Sequence, residues 1–242
     1  MRSLLCGVSW NKAAAALAVP LLAACDGPLS TLQPSGPAAR DVAMLWWAML
    51  LGSAVITALV MVMLVLAIRN RGAESSERVW IWGWGLGFTL TVLIAVLGFS
   101  LWIGERMLAR ADGALQVEAH ALQWEWHFTQ PGPDGQPVTT RDVLFVPIAT
   151  HFDVRITTED VIHSFWVPQL GGKMDAIPGQ ENLHRLRVDQ PGVYEGLCAE
   201  FCGVGHSFMR FEVVAYDPEG PFPDMTAALI EPSADDRQEA FQ

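Results

Sequence analysis

A twelve-residue stretch, CAEFCGVGHSFM at residues 198–209, contains two cysteines, a carboxylate, a histidine and a methionine. All five of these side chains can bind metal ions, and three of them carry sulfur. Cysteine and histidine most often bind zinc, but zinc sites rarely include a thioether. Two thiolates, an imidazole and a thioether together favour copper, whose lower oxidation state prefers soft sulfur ligands. The stretch therefore predicts a copper site at Cys198, Cys202, His206 and Met209.

A disulfide is the alternative for the two cysteines of this stretch, because an oxidising compartment pairs cysteines by default. Cys198 and Cys202 are only four positions apart, however, so a bond between them would close a very short loop and stabilise the fold little. A second imidazole is expected from a separate segment of the chain, at the edge of a strand. His163, in the segment EDVIHSFWVP, has the best position for that role.

The segments that must position these ligands have the composition of β-strands. Residues 115–130, LQVEAHALQWEWHFTQ, alternate between polar and apolar side chains, and a run of turn-forming residues follows them. Because Trp124 and Trp126 are two positions apart in one predicted strand, we expect them to lie on the same face. Further short runs recur about every ten residues with Gly and Pro between them, which predicts an all-β sandwich or barrel of the Greek-key type. These runs are DVLFVP, HFDVRITT, HSFWVP, LHRLRV, GVYEGL and MRFEVVAY.

Two long apolar segments precede this domain. Residues 42–68 contain no charged side chain in 27 positions, and residues 79–104 contain none in 26. About 20 apolar residues cross a bilayer, so both segments are long enough to span it. A pair of buried core helices is the alternative, but neither segment has the polar face that such helices keep. The short loop at 69–78 carries three arginines, so the positive-inside rule places it in the cytoplasm and both ends of the hairpin outside.

The N-terminal segment has the pattern of a bacterial export signal. Two basic residues precede an apolar stretch at 13–24 that is too short to span a membrane. The stretch ends in LLAAC, which resembles a lipoprotein signal that is cut before Cys25 and lipidated on its sulfur. An ordinary signal peptide with an incidental cysteine is the alternative. We therefore expect a signal peptide at 1–24 and a lipid-anchored linker at 25–41.

The acidity of the chain is concentrated after the second apolar segment. From residue 105 onward, 22 Asp and Glu residues stand against nine Lys and Arg residues, a net formal charge of −13. A solvated acidic surface is the simplest interpretation, and a docking field for a basic partner is the functional one. We expect a folded outer domain at 105–230, a flexible tail at 231–242 and no nucleic acid among the partners.

The segments HSFWVP, GGKMDAIPG and CAEFCGVGHSFM, in that order after a two-helix hairpin, resemble subunit II of bacterial and mitochondrial cytochrome c oxidases. The resemblance extends from residue 42 to about residue 216. It implies an all-β cupredoxin-like Greek-key sandwich preceded by a two-helix transmembrane hairpin. It also implies a binuclear copper centre, called CuA, on the periplasmic side. The implied ligands are the bridging Cys198 and Cys202, His163 and His206 on one copper each, Met209 on one copper, and the Glu200 backbone carbonyl on the other.

The resemblance implies further roles for residues near these ligands. The Glu200 side chain would bind Mg²⁺ shared with subunit I. Trp124, in QWEW, matches the exposed aromatic residue through which cytochrome c delivers its electron, with a packed core tryptophan as the alternative. Glu159 and Asp160 match acidic residues of the docking surface for cytochrome c. Four aromatic side chains are expected to exclude water from the ligands or simply to pack in the core: Phe165, Trp166, Phe201 and Phe208.

Two features depart from the usual pattern of this family. Glu125 lies between the tryptophans, where an aromatic residue is usual. The second helix usually opens with a Glu and a Trp-Thr stretch that ends in Pro, and this Glu serves the entrance of a proton channel. Residues 77–88, ERVWIWGWGLGF, lack that pattern, and Glu77 is the nearest candidate for the proton role.

The resemblance therefore predicts the electron-entry subunit of a haem-copper terminal oxidase in the bacterial inner membrane. The subunit would accept electrons from cytochrome c at CuA and pass them to the haems of subunit I, where oxygen reduction is coupled to proton translocation. Subunit III is a further expected partner. No Cys-x-x-Cys-His motif for haem attachment occurs in the sequence, so the electron donor is expected to be a separate protein.

Three other functions compete with this one. Quinol oxidase subunits share the hairpin and the sandwich but have lost the copper ligands, whereas this chain keeps every one of them. A copper store or chaperone needs neither two spanning helices nor an acidic docking surface. A nitric oxide reductase with a CuA site stays open as the alternative.

Overall fold

The computed structural model describes residues 27–70, 76–108 and 113–230. The predicted signal peptide, the predicted lipidation site at Cys25 and the predicted tail at 231–242 therefore lie outside the described residues. The middle of the arginine-rich loop, at 71–75, lies outside them as well.

Two long helices come first in the described chain. Helix α1 covers Pro37–Arg69 and helix α2 covers Val79–Arg106, so both apolar segments are helical, and their ends extend slightly beyond the predicted limits. Pro37 occupies the first helical turn, where its missing N–H costs no hydrogen bond. Helix α2 begins with π-helical hydrogen bonding at Val79–Phe88, which the apolar pattern does not predict. Both helices are long and apolar enough to cross a membrane, and their most apolar windows are almost entirely unburied within the chain.

The outer ends of the two helices lie side by side, close to the sandwich. Arg106, at the end of α2, places Nε 3.3 Å from a carboxylate oxygen of the buried Asp41 near the start of α1. A Cβ on Gly36, just before α1, would lie 2.3 Å from the backbone oxygen of Arg187, so only glycine allows this close approach. The start of α1 and the end of α2 therefore lie at the same end of the helix pair.

The outer domain is a β-sandwich of two five-stranded sheets, which confirms the predicted class of fold. The strands, in chain order, are β1 (Leu115–Leu122), β2 (Glu125–Pro131), β3 (Pro137–Arg141), β4 (Val143–Pro147), β5 (His151–Thr158), β6 (His163–Trp166), β7 (Met174–Ala176), β8 (Asn182–Arg187), β9 (Gly192–Cys198) and β10 (Arg210–Tyr216). One sheet has the order β3-β2-β1-β5-β8, and the other has the order β4-β10-β9-β6-β7. Neighbouring strands are antiparallel except for the parallel pairs β1–β5 and β4–β10. Parallel neighbours cannot be joined by a tight hairpin, so the chain crosses between the sheets.

An aromatic cluster fills the space between the two sheets. Trp126 and Phe128 of β2, Phe165 of β6 and Phe211 of β10 are buried, with ring centroids 4.7 to 6.3 Å apart. The indole of Trp126 also lies 6.3 Å from the imidazole of His163. Close-packed interiors transmit strain rather than absorb it, so this cluster gives the predicted metal ligands a rigid base.

The alternating run at 115–130 is not one strand. It forms a hairpin in which residues 123 and 124 make the turn between β1 and β2. The reversal of the chain resets the alternation of faces, so Trp126 is fully buried whereas Trp124 is 39% exposed. The expectation that the two tryptophans share a face is therefore wrong.

A buried ion pair joins the neighbouring strands β5 and β8. Asp153 and Arg185 are directly opposite each other, and Arg185 donates from Nε and NH2 to the two carboxylate oxygens of Asp153 at 2.7 and 2.8 Å. The hydrogen bonds from Arg185 lower the pKa of Asp153 even though burial opposes the charge. We expect Asp153→Ala to lower the free energy of unfolding by about 3–5 kcal/mol, because it removes the opposite charge and two hydrogen bonds from the buried guanidinium of Arg185.

This loss should depend on pH in a defined direction. The native pKa of Asp153 lies below its ordinary value of 3.8, so its contribution is complete above that value and disappears as the pH falls through the native pKa. Denaturant unfolding of the variant and of the unaltered chain, at neutral and at strongly acidic pH, measures the loss of stability and its dependence on pH. The control is Glu181→Ala, which removes an exposed pair with Arg155 and should cost less than about 1 kcal/mol. Equal losses in the two variants would contradict the prediction.

Candidate metal centre

The predicted ligands meet at one end of the second sheet because neighbouring strands begin and end there. His163 begins β6, Cys198 ends β9, and Met209 immediately precedes β10. Strands β6 and β10 both pair antiparallel with β9, and the Cys198 N–H donates to the Met209 carbonyl at 2.9 Å. Antiparallel pairing places the start of one strand beside the end of the next. The loop between β9 and β10 adds Cys202 and His206 to the group.

Three sulfur atoms lie together at this end of the sandwich. The Sγ atoms of Cys198 and Cys202 are 3.8 Å apart, and both cysteines are free. The Sδ atom of Met209 lies 3.8 Å from Cys202 Sγ. The backbone oxygen of Glu200 lies 3.2 Å from Cys198 Sγ. The structure therefore shows two adjacent thiols rather than the disulfide alternative.

An imidazole nitrogen lies beside each of the two thiols. His163 Nδ1 is 3.9 Å from Cys198 Sγ and 3.2 Å from Met209 Sδ. His206 Nδ1 is 3.6 Å from Cys202 Sγ. The ligand atoms of His163, Cys198 and Cys202 all lie within 4.8 Å of one another. Across 27–70, 76–108 and 113–230, no other three His, Cys, Asp or Glu side chains form such a group.

The pKa values of the two thiols are those of a site that fits cations. Burial would raise the pKa of Cys198, but hydrogen bonds with His163 and with the backbone lower it to about 6. Burial and the charge of the neighbouring Cys198 raise the pKa of Cys202 to about 12. Two thiolates this close oppose each other's ionisation, and metal ions that bind both sulfurs would remove that opposition. The soft sulfur donors and the two imidazoles fit copper in particular.

A carboxylate holds the buried His163 from the side away from the sulfur atoms. His163 Nε2 lies 2.8 Å from Asp160 Oδ1, so Nδ1 faces Cys198 and Met209. Burial lowers the pKa of His163, but its hydrogen bonds with Cys198 and Asp160 outweigh burial and raise it. Burial likewise opposes the charge of Asp160, yet hydrogen bonds from His163 and from backbone N–H groups lower its pKa to about 2. Asp160 is therefore ionised at neutral pH.

The aromatic residues expected around the ligands lie in different environments. Phe165 is fully buried and Trp166 is half-buried. Phe201 and Phe208, on the ligand loop, are 78% and 83% exposed. Neither ring is packed in the core, although the ring centroid of Phe201 lies 5.8 Å from that of the His206 imidazole. The buried Trp126 and Phe165 cover the inner side of the site instead.

Trp124 lies over the ligand loop at the surface. Its indole Nε1 donates to the carbonyl oxygen of Cys202 at 3.0 Å, and Gln123 Nε2 donates to the same oxygen at 2.7 Å. The indole packs on Gly205, where a Cβ would lie 2.4 Å from ring atoms of Trp124. The predicted electron-entry residue therefore contacts the backbone of a predicted copper ligand and is not a core tryptophan.

The backbone oxygen and the carboxylate of Glu200 have different neighbours. Its backbone oxygen faces Cys198, whereas its carboxylate is partly exposed and lies 2.9 Å from Lys173 Nζ. Lys173 also contacts Asp175 at 2.9 Å. Both residues belong to the segment GGKMDAIPG, so this second motif lies beside the ligand loop. A magnesium ion on the Glu200 carboxylate would have to share it with the ammonium group of Lys173.

The other predicted residues lie apart from the ligand cluster. Glu159 is exposed and has no hydrogen bond or ion pair with any residue that the structure describes. Glu125 contacts His127 Nε2 at 2.6 Å and Arg141 Nε at 3.3 Å, so the unusual carboxylate between the tryptophans belongs to a small ion-pair network. Glu77 is exposed immediately before α2.

Two residues that the sequence does not predict also contribute to this site, and a third is predicted only for docking. Gln123 and Gly205 were not predicted, although each has a simple signal: Gln123 precedes the predicted entry residue, and Gly205 precedes a predicted ligand. Asp160 was predicted for partner docking alone. A carboxylate three positions before a ligand histidine is itself a signal, because ligand imidazoles usually donate their second N–H to such a group.

Part of the chain is similar in sequence to known proteins. Residues 133–215 match the family described as cytochrome c oxidase subunit II, periplasmic domain. The cytochrome c oxidase subunit 2 of Alkalihalophilus pseudofirmus is 36% identical over 103 residues, which covers 43% of this chain and 29% of that protein. The heme-copper oxidase subunit 2 of Aeropyrum pernix is 40% identical over 110 residues, which covers 45% of this chain and 47% of that protein. The chain thus spans less than half the length of these two curated relatives.

A solved structure of the same kind is also similar to the chain. It is the periplasmic domain of subunit II of cytochrome oxidase (CoxB) of Bradyrhizobium japonicum, with 29% sequence identity and a TM-score of 0.42. The comparison covers 47% of this chain and 90% of that chain. The family match at 133–215 includes every predicted copper donor, from His163 to Met209. By these sequence matches, residues 133–215 of this chain are similar to the periplasmic domain of cytochrome c oxidase subunit II.

Proposed function

We propose that this chain is the electron-entry subunit of a haem-copper terminal oxidase. It accepts electrons from cytochrome c and passes them to subunit I, where oxygen is reduced. The observation that carries the proposal is the cluster of two free thiols, two imidazoles, a thioether and a backbone carbonyl at one end of the sandwich. Its members are His163, Cys198, Glu200, Cys202, His206 and Met209.

The chemistry that the proposed centre supplies is one-electron transfer. Copper ions held by the two thiolates, the two imidazoles and the thioether would supply that chemistry. The protein's contribution is to hold the ligands before and after transfer. Cys198, Cys202 and Met209 are buried at paired strand ends, and His163 is fixed by Asp160. Trp126 and Phe165 keep water from the inner side.

The proposed arrangement in the membrane follows from the hairpin. Helices α1 and α2 span the bacterial inner membrane, the arginine-rich loop faces the cytoplasm, and the sandwich faces the periplasm. The contact between Arg106 and Asp41 supports this arrangement, because it keeps both outer helix ends beside each other. Subunits I and III bind in the membrane. The proton role of Glu77 stays a prediction.

The proposed docking site for cytochrome c surrounds Trp124. The net charge of −13 from residue 105 onward attracts a basic donor, and the exposed Glu159 is free to contribute to that field. The exposed edge of the Trp124 indole faces the donor, and its Nε1 contacts the Cys202 carbonyl. The relatives described above are named as oxidase subunits, so no observation favours a nitric oxide reductase.

Paramagnetic resonance of the full chain, purified in detergent and loaded with copper, tests the proposal. We expect a pair of copper ions for each chain. After half-reduction, the spectrum should show one unpaired electron shared by two copper nuclei. A spectrum of one isolated copper, or stoichiometric zinc after native expression, contradicts the proposal.

Glu200 is proposed to link this centre to subunit I through Mg²⁺. Its carboxylate is a hard oxygen donor that points away from the sulfur atoms, and hard oxygen donors suit Mg²⁺. We expect Glu200→Ala to lower bound Mg²⁺ in the assembled complex and to leave the copper spectrum nearly intact, because its backbone oxygen remains. The matched control is Glu195→Ala, which removes a partly exposed carboxylate paired with Arg210. Metal analysis and paramagnetic resonance together decide, and simultaneous loss of both metals would refute this division of roles.

Cys25 is proposed to carry lipid and to form the mature N-terminus. LLAAC closes an apolar segment too short to span the membrane, as in bacterial lipoprotein signals. Mass spectrometry of the mature chain should show cleavage before Cys25 and the added mass of acyl chains. An intact Met1 or an unmodified Cys25 would show that the N-terminal segment has another role.

A further inference from the structure

The two adjacent carboxylates Glu159 and Asp160 have different surroundings. Glu159 is exposed, without a polar partner among the described residues. Asp160 Oδ1 accepts three hydrogen bonds. The donors are His163 Nε2 at 2.8 Å, Thr158 Oγ1 at 3.0 Å and the backbone N–H of Val161 at 2.5 Å. A carboxylate that already accepts several hydrogen bonds contributes less to a docking surface than a carboxylate without such bonds does.

The second oxygen of Asp160 reaches the turn that carries Trp124. Asp160 Oδ2 accepts the backbone N–H of Gln123 at 2.7 Å. Gln123 Nε2 and Trp124 Nε1 both donate to the carbonyl oxygen of Cys202. One carboxylate therefore connects a proposed copper ligand, His163, with the turn that covers a second ligand, Cys202.

The contact with His163 determines which ring nitrogen is available. When Nε2–H donates to the carboxylate, Nδ1 carries the lone pair, and Nδ1 is the nitrogen that faces Cys198 and Met209. A carboxylate in this position also makes the imidazole a stronger donor. Its negative charge favours the more positive, oxidised state of a metal bound to that imidazole.

We propose that Asp160 is a positioning residue, which holds the His163 imidazole and the Trp124 turn in one hydrogen-bonded unit, while Glu159 alone of the two serves docking. This inference rests on the proposed function, since it requires copper to bind His163. It assigns Asp160 a role in the reduction potential and in the geometry of the site.

Three variants of the full chain, loaded with copper in detergent, test this assignment. Asp160→Asn keeps an acceptor oxygen but removes the charge, and Asp160→Ala removes both. Glu159→Gln removes the charge of the neighbouring residue, which makes no hydrogen bond with the described residues. We expect Asp160→Asn to raise the reduction potential and to change the copper hyperfine pattern. Asp160→Ala should in addition weaken copper binding by about 10–100-fold. Glu159→Gln should leave the spectrum and the potential as they are in the unaltered chain.

Each outcome of this experiment has a definite meaning. If both Asp160 variants give the spectrum and the potential of Glu159→Gln, Asp160 is only a surface charge and the inference is overturned. Circular dichroism of the copper-free variants shows whether the sandwich still folds. If Asp160→Ala does not fold, the conservative variant Asp160→Asn decides. If the unaltered chain itself fails to bind a copper pair, the proposed function fails first, and the inference fails with it.

Discussion

A chain with Cys202→Ser is expected to lose the shared-electron copper spectrum and to accept no electrons from cytochrome c above background. Cys202 Sγ lies within 3.8 Å of Cys198 Sγ and Met209 Sδ and 3.6 Å from His206 Nδ1, so it is central to the donor set. A serine hydroxyl is a hard, protonated oxygen that cannot replace a bridging thiolate for copper. Copper analysis and paramagnetic resonance of the purified full chain measure the loss.

The control for this change lies in the same loop. Ser207→Ala alters an exposed side chain next to His206 and should leave copper content and spectrum intact. Only Cys202→Ser changes a proposed ligand. A general disturbance of the loop would affect both variants, whereas loss of the ligand affects Cys202→Ser alone. A shared-electron spectrum in the Cys202→Ser chain would show that the thiolates do not bridge the metals.

Replacing Trp124 by alanine is expected to slow electron transfer into the copper centre by more than about tenfold, equivalent to about 1.4 kcal/mol of barrier. The indole extends from the surface to the carbonyl of Cys202, 3.0 Å from Nε1, and its removal opens a gap on the path of the electron. Docking should be nearly normal, because the acidic residues remain. Stopped-flow mixing of the assembled complex with cytochrome c over a salt series separates docking from transfer.

Glu159→Gln provides the matched control for Trp124→Ala. It should weaken association and flatten the salt dependence, since surface charges act over about 8 Å at physiological ionic strength. The rate of transfer within the bound complex should change little. Trp124→Phe adds a second comparison, because it keeps an aromatic ring but removes the donor to Cys202. Normal transfer in Trp124→Ala would place the entry point elsewhere on the domain.

Local patterns in the sequence were sufficient for the helices, most strands and the ligand loop. Twenty or more uncharged apolar residues have few alternatives to a spanning helix. Four donors within residues 198–209 can reach one metal site without a long-range contact, because the chain between them is short. The predicted strand at 151–158 agrees with β5, whose flanking turn residues limit it on both sides.

Contacts between distant segments could not be read from such patterns. His163 is 35 positions from Cys198, and only the pairing of β6 with β9 brings their side chains together. The turn at 123–124 separates Trp124 from Trp126, and a period of two residues does not reveal where a strand reverses. Asp160 looks like Glu159 in the sequence, yet folding gives it four hydrogen-bond donors. Residue type thus indicates which chemistry is available, whereas long-range strand pairing determines which residues share a site, because hydrogen bonds and metal ligation require contact within a few ångströms.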